Sequence, residues 1–184
     1  MAMPLRVLIV CTANVCRSPM AAALLSQHGT NIGVELQVRS AGTHADTMAV
    51  DPLAVSTMSS LGLDISRHIP RALSRQIIDD DGADLVLTMC REHLRVVATT
   101  APGSFRRTFT VKEFARRLVS ADVVQGDILA VKLALVGEGR NARDLLGDSP
   151  ADDVADPYGL SLEQHHTCAT ELDALMRTIA TNLG

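Results

Sequence analysis

Cys11 and Arg17 are the residues of this chain whose types and spacing most plainly suggest chemistry. Five residues separate them: Thr12, Ala13, Asn14, Val15 and Cys16. A loop closed over that distance sets a thiol, a guanidinium and a run of backbone N–H groups around one point. Successive loop amides form a nest for an anion, and a helix starting at the end of the loop adds its positive terminus. Arg17 brings two parallel donors suited to phosphate oxygens. A tetrahedral oxyanion is the ligand that fits. The same field favours the thiolate form of a cysteine, which makes Cys11 the candidate nucleophile. Ser18, next in the chain, is placed to hydrogen-bond the sulfur.

Transfer of a phosphoryl group also needs a proton donor, because an expelled alkoxide or phenoxide is costly at neutral pH. Asp156-Pro157-Tyr158 offers one. Pro157 stiffens the loop, Asp156 carries the proton, and Tyr158 forms one wall against an aromatic substrate. Asp152 and Asp153 compete for the acid's role but lack the flanking proline and rank lower.

The elements that must hold these groups follow from pattern. Leu5 to Val10 is an apolar run broken only by Arg6, as expected for a strand buried on both faces of a parallel sheet. Ser18-Pro19 predicts a helix start with Ser18 as N-cap, and the helix runs through Met20 to Gln27, ending near Gly29. Glu35 to Ser40 is a second strand, closing at Ala41-Gly42-Thr43. Asp51-Pro52 repeats the cap and proline, and Leu53 to Leu61 is a helix stopped by Gly62. A short helical piece holds Ala72, Leu73 and Ile77, and Asp79 to Gly82 is a solvated turn. Ala83 to Met89 is a third strand, Glu92 to Thr100 a helix, Arg107 to Val111 a fourth strand and Lys112 to Ser120 a helix. Ile128 to Val136 is helical inside a poorly legible stretch from 121 to 150. Leu160 to Leu183 closes the chain as a long helix with apolar residues at helical spacing. Alternating strands and helices predict a three-layer α/β fold with ligands at the C-terminal ends of the strands.

The length of 184 residues predicts one domain over 1–184. With 47% apolar residues but only three Phe, one Tyr and no Trp, the core must be aliphatic. A net charge of -4 argues against a nucleic-acid surface. No segment reaches the apolar length of a membrane span, so no membrane partner is expected. The N-terminal MAMPLRVLIVC is shorter in apolar residues than a signal-peptide core of roughly 7–15, which places the protein in the cytoplasm. The four cysteines, Cys11, Cys16, Cys90 and Cys168, fit neither a paired zinc motif nor a disulfide scaffold, and in a reducing compartment they are free thiols.

With CTANVCRSP near the N-terminus and DPYG near the C-terminus, the sequence resembles the low-molecular-weight protein tyrosine phosphatase family. Lesser matches are Arg39 to Thr43, LGLDISRHIPRAL at 61–73 and DLVLTM at 84–89. The resemblance covers nearly the whole chain except about 120–150, a segment longer than the family's compact pattern that is placed to cap the site or bind a partner. It implies a phosphotyrosine phosphatase I-like fold, a four-stranded parallel sheet flanked by helices, with neither metal nor cofactor. It implies that Cys11 forms a phosphocysteine, that Arg17 binds phosphate and stabilises the transition state, and that Asp156 protonates the leaving oxygen and then deprotonates water. Asn14, Ser40 and His68 match positions that brace the loop, and Cys16 matches a cysteine that pairs with the nucleophile on oxidation. The expected partners are tyrosine-phosphorylated proteins, a tyrosine kinase among the candidate substrates.

Four departures stand out. Ala13 replaces the usual Gly, Asp46 stands where many members carry an aromatic wall, Tyr158 is followed by Gly159 rather than a second aromatic, and Cys90 stands where Asp is frequent. Two other functions compete. A thiol-dependent arsenate reductase shares the loop but needs two further cysteines to pass a disulfide outward, and Cys90 is the one candidate. A non-catalytic phosphopeptide-binding module would be favoured by the loss of Cys11, Arg17 or Asp156, and all three are present.

Overall fold

The computed structural model describes residues 4–45, 49–80, 82–121, 123–124 and 126–184. Four strands form one sheet: β1 (Leu5–Cys11), β2 (Leu36–Gly42), β3 (Leu85–Thr88) and β4 (Thr108–Thr110), in the order β2-β1-β3-β4. Every neighbouring pair is parallel. Six α-helices accompany them among the described residues: α1 (Arg17–Asn31), α2 (Pro52–Ser60), α3 (Arg91–Thr100), α4 (Val111–Ser120), α5 (Leu129–Gly137) and α6 (Leu162–Leu183). The expected parallel sheet between helices is what forms.

Strand alternation explains the layers. Val7, Ile9 and Cys11 of β1 face the larger core with Leu85 and Leu87 of β3, packed under α1, α2, α4 and α6. Leu8, Val10 and Val86 face the opposite side, against Val97 of α3 and Ile78. Side chains of a strand alternate between faces, so a fully apolar run serves two cores at once. The larger core is aliphatic apart from Phe109 and Phe114, whose ring centres lie 5.0 Å apart.

Two local expectations change. Ser18 is not the N-cap of α1: the helix begins at Arg17, Cys16 holds the cap position, and the Ser18 hydroxyl is engaged with the sulfur of Cys11. A serine inside the first turn is free to bond across the loop, and that use wins over capping. Ala72 and Leu73 are extended rather than helical. Ala72 bridges Gly42 in parallel and the Leu73 amide donates to the Gly42 carbonyl at 2.7 Å, so only Gln76–Asp80 turns, as a π-helical segment. Gly42 also lets the loop after β1 pass close by, because a Cβ there would lie 2.5 Å from the Thr12 carbonyl oxygen.

The Asp51-Pro52 start holds as expected: the Asp51 carboxylate accepts from the amides of Leu53 and Ala54. The predicted helix in the 121–150 stretch is α5, fastened by polar bonds. Lys132, 1% exposed, donates to the carbonyls of Asn182 and Gly184 at the end of α6. Arg117 donates to the carbonyls of Val136 and Glu138. Arg140 grips Glu113 of α4 and lies over the Phe109 ring at 4.0 Å.

Candidate active site

β1 is a central strand, and its last residue is Cys11, so the loop that follows opens at the C-terminal edge of the sheet, as expected for this class of fold. Neighbouring segments hold the loop's carbonyls. The amides of Thr43 and His44 donate to the carbonyls of Cys11 and Thr12, and Asp51 N donates to Val15 O. The chain can then turn loop N–H groups inward, and the Asn14 amide donates to Cys11 Sγ at 3.2 Å.

Asn14 sits at the centre. It is fully buried, and it is the one non-glycine residue with positive φ (58°) among those described. Left-handed backbone costs an ordinary residue about 1–2 kcal/mol, and Asn bears it more readily than most. Ala13 has no such requirement, so its methyl group is tolerated where a glycine was the expectation. The Asn14 side chain repays its conformation in bonds. Its Oδ1 accepts from the Arg71 backbone amide at 3.0 Å, and its Nδ2 donates to Ser18 Oγ at 2.8 Å and to Ser40 Oγ at 2.9 Å. Ser18 Oγ lies 3.0 Å from Cys11 Sγ. His68 Nε2 donates to the Asn14 carbonyl at 2.9 Å, and burial holds the His68 imidazolium form below its ordinary range. Asn14, Ser18, Ser40 and His68, read singly from the sequence, are thus one connected network.

Arg17 is buried, at 6% exposure. It donates to Val154 O at 3.3 Å, to Thr12 Oγ1 at 3.1 Å and to the Asp156 carboxylate. Asp156 is therefore brought beside Arg17 across 139 residues of chain, with its other oxygen accepting from the Tyr158 amide at 3.2 Å. The Val154 amide donates to the Met89 carbonyl at 2.7 Å, which ties the Asp156 loop to the end of β3. Tyr158 is half exposed beside it. Asp46 lies outside the described residues.

The competing aspartates are committed elsewhere. Asp152 is buried and pairs with Arg91 and Arg116. Burial pushes its carboxyl up, and the two guanidiniums more than offset this, leaving it below the usual carboxylate range. Asp153 accepts from the amides of Arg91 and Ser149. Neither is free to carry a proton to a ligand.

The sequence reading missed His93. Its Nε2 lies 2.9 Å from Thr12 Oγ1 and its Nδ1 3.2 Å from Cys90 Sγ. Burial first, then the positive charge of Arg17, pushes its pKa down to about 3. A lone histidine in a helix carries no sequence signal; its role comes from α3 packing behind the loop. Cys90 is at the N-cap of α3, with burial pushing its thiol up. Cys16 and Cys168 are buried too, and burial pushes the Cys168 thiol up to about 12.

Residues 6–125 match the sequence model described as "Low molecular weight phosphotyrosine protein phosphatase". A protein-arginine-phosphatase of Bacillus subtilis (strain 168) is 29% identical over 179 residues, 96% of this chain and 95% of that protein. The low molecular weight protein-tyrosine-phosphatase Wzb of Escherichia coli (strain K12) is 36% identical over 97 residues, 52% of this chain and 62% of its own length. The crystal structure of a low molecular weight protein tyrosine phosphatase from T. tengcongensis superposes with a TM-score of 0.70 at 31% identity, covering 95% of this chain and 96% of that one.

Proposed function

Because the chain belongs to the low molecular weight phosphotyrosine protein phosphatase family, we propose that it hydrolyses phosphotyrosine monoesters in proteins through a phosphocysteine intermediate. The observation that carries this reading is the polar seat of the Cys11 sulfur. It receives the Asn14 N–H and the Ser18 hydroxyl, with Arg17 closing the same loop.

In the first step the Cys11 thiolate attacks phosphorus, the S–P bond forms and the bond to the ester oxygen breaks. The loop amides and Arg17 bind the three remaining oxygens as charge builds on them. Bound phosphate takes donors that Arg17 gives to Asp156 in the free site; the released Asp156 carboxylate takes up a proton from solvent and passes it to the leaving oxygen. In the second step Asp156 removes a proton from water, water oxygen bonds to phosphorus, and the S–P bond breaks to restore the thiolate. Thr12, Ala13, Val15 and Cys16 contribute backbone, while Ser40 and His68 brace Asn14. Tyr158 forms a wall for the substrate ring. Tyrosine-phosphorylated proteins, tyrosine kinases among them, are the proposed substrates and the cytoplasm the proposed compartment. No helix among the described residues is long and apolar enough to cross a membrane.

A second reading has an observation in its favour. The B. subtilis relative, similar along nearly the whole chain, is named a protein-arginine-phosphatase. Asp156 also already accepts a guanidinium, that of Arg17, so a phosphoarginine leaving group could be met by the same carboxylate. The reductase alternative draws no such support: the relatives named above are phosphatases, and the Cys90 thiol is held by His93.

A panel of phosphotyrosyl, phosphoarginyl and phosphoseryl peptides, with an arsenate and reduced-thioredoxin control, tests the proposal. The largest kcat/KM should fall on phosphotyrosine. A larger value on phosphoarginine replaces the first reading with the second, and turnover of arsenate alone overturns both.

A further inference from the structure

At the end of the phosphate loop the thiol of Cys16, the carboxylate of Asp51 and the imidazole of His165 converge. One ligand atom from each lies within 4.8 Å of the other two, and this is the one such trio among the described residues. Three elements deliver them: the N-cap of α1, the N-cap of α2 and the first turn of α6. Cys16 and His165 are almost completely buried and Asp51 forms the open side.

The separations are those of ligands around one centre. Zinc sits about 2.3 Å from a thiolate and about 2.0–2.1 Å from an imidazole or carboxylate. Tetrahedral angles then put sulfur and nitrogen about 3.6 Å apart and nitrogen and oxygen about 3.4 Å apart. Here Cys16 Sγ is 3.9 Å and Asp51 Oδ1 is 3.3 Å from His165 Nε2. The other ring nitrogen of His165 lies 3.0 Å from the Ser161 carbonyl. A carbonyl only accepts, so Nδ1 carries a hydrogen, and Nε2 is the ring atom that faces Cys16 and Asp51. That is how outer partners orient a metal-binding histidine. Burial first, then the carboxylates of Asp51 and Asp156, push the Cys16 thiol up, and an added cation offsets the repulsion between its thiolate and those carboxylates.

We propose that Cys16, Asp51 and His165 bind one Zn2+ ion, with a fourth position open to water on the Asp51 side. Binding exchanges the Cys16 thiol proton for a sulfur–metal bond and releases that proton to solvent. The ion pins the end of the phosphate loop to α2 and α6. It takes no part in the phosphatase chemistry, and its binding does not rest on that reading.

Cobalt(II) is the probe, added to the reduced full-length chain. The expected result is one bound ion, a thiolate-to-cobalt charge-transfer band and the intense visible bands of four-coordination. Cys11→Ser should keep all three, Cys16→Ser should lose the charge-transfer band, and zinc should bleach the wild-type spectrum. Asp51→Asn keeps an N-cap side chain and should weaken binding by at least about tenfold, since even outer-shell changes cost that much. His165→Gln should do the same. A missing band, one that survives Cys16→Ser, or one that Cys11→Ser removes overturns the proposal. If Cys16→Ser does not fold, unchanged cobalt affinity in Asp51→Asn overturns it as well.

Discussion

Asn14 donates its side-chain amide to Ser18 Oγ at 2.8 Å, and that bond turns the Ser18 hydrogen away from Asn14. The direction is set from outside: the Arg71 backbone N–H can only donate, so the Asn14 atom facing it is the oxygen and the atom facing Ser18 is the nitrogen. With one lone pair of Ser18 taken, its hydrogen is free to go to Cys11 Sγ, 3.0 Å away, and a thiolate there can only accept. A residue 57 positions downstream thereby orients a hydrogen bond on the candidate nucleophile.

Ser18→Ala should therefore cost activity while keeping the loop. A hydrogen bond to a charged group contributes about 1.5–3 kcal/mol, which predicts a loss of roughly 10–100-fold in kcat, carried by dephosphorylation, where the thiolate departs. Stopped-flow measurement of intermediate breakdown checks this; an unchanged rate would show that Ser18 does not hold the sulfur's charge.

The native protein should hydrolyse p-nitrophenyl phosphate without added metal and be inhibited by orthovanadate, and Cys11→Ser should abolish that turnover. Turnover surviving this substitution rules out the phosphocysteine route.

Asp156→Asn should slow the enzyme unevenly. General-acid catalysis contributes about 10²–10⁴-fold, and a good leaving group such as p-nitrophenolate needs little of it. The rate with phenyl phosphate should fall far more than the rate with p-nitrophenyl phosphate. Equal losses across a leaving-group series would argue against proton donation and leave Asp156 as a partner of Arg17 only.

Stability should fall on acidification, with His93 responsible for part of the slope. Its folded pKa, about 3, lies below the unfolded value of about 6.5. Between those values the unfolded chain binds the extra proton, so stability is full above about pH 6.5 and drains away as pH drops toward 3. From pH 7 to 5.5 the loss is about 1 kcal/mol. Urea midpoints at the two pH values measure it, and His93→Gln should flatten the dependence; an unaltered slope would mean that His93 is protonated in the folded protein.

The amino-acid sequence by itself determined what is local. Cys11, five residues and Arg17 announce an anion loop, and the apolar run before it can only be a buried strand. Asp51-Pro52 marks a helix start from its own two side chains. Proline beside Asp156 was enough to rank it above Asp152 and Asp153, but only the fold shows why the ranking holds: Arg91 and Arg116 consume the one, and backbone amides of Arg91 and Ser149 the other. Tertiary structure alone decided that Ser18 serves the sulfur rather than the helix end, that Ala72 joins a sheet edge, and that His93 stands behind Thr12 from 81 residues away. It alone set His165 against Cys16 across 149 positions. Propensity and spacing act within a few residues along the chain, whereas a hydrogen bond or a ligand set forms wherever packing brings donors and acceptors together.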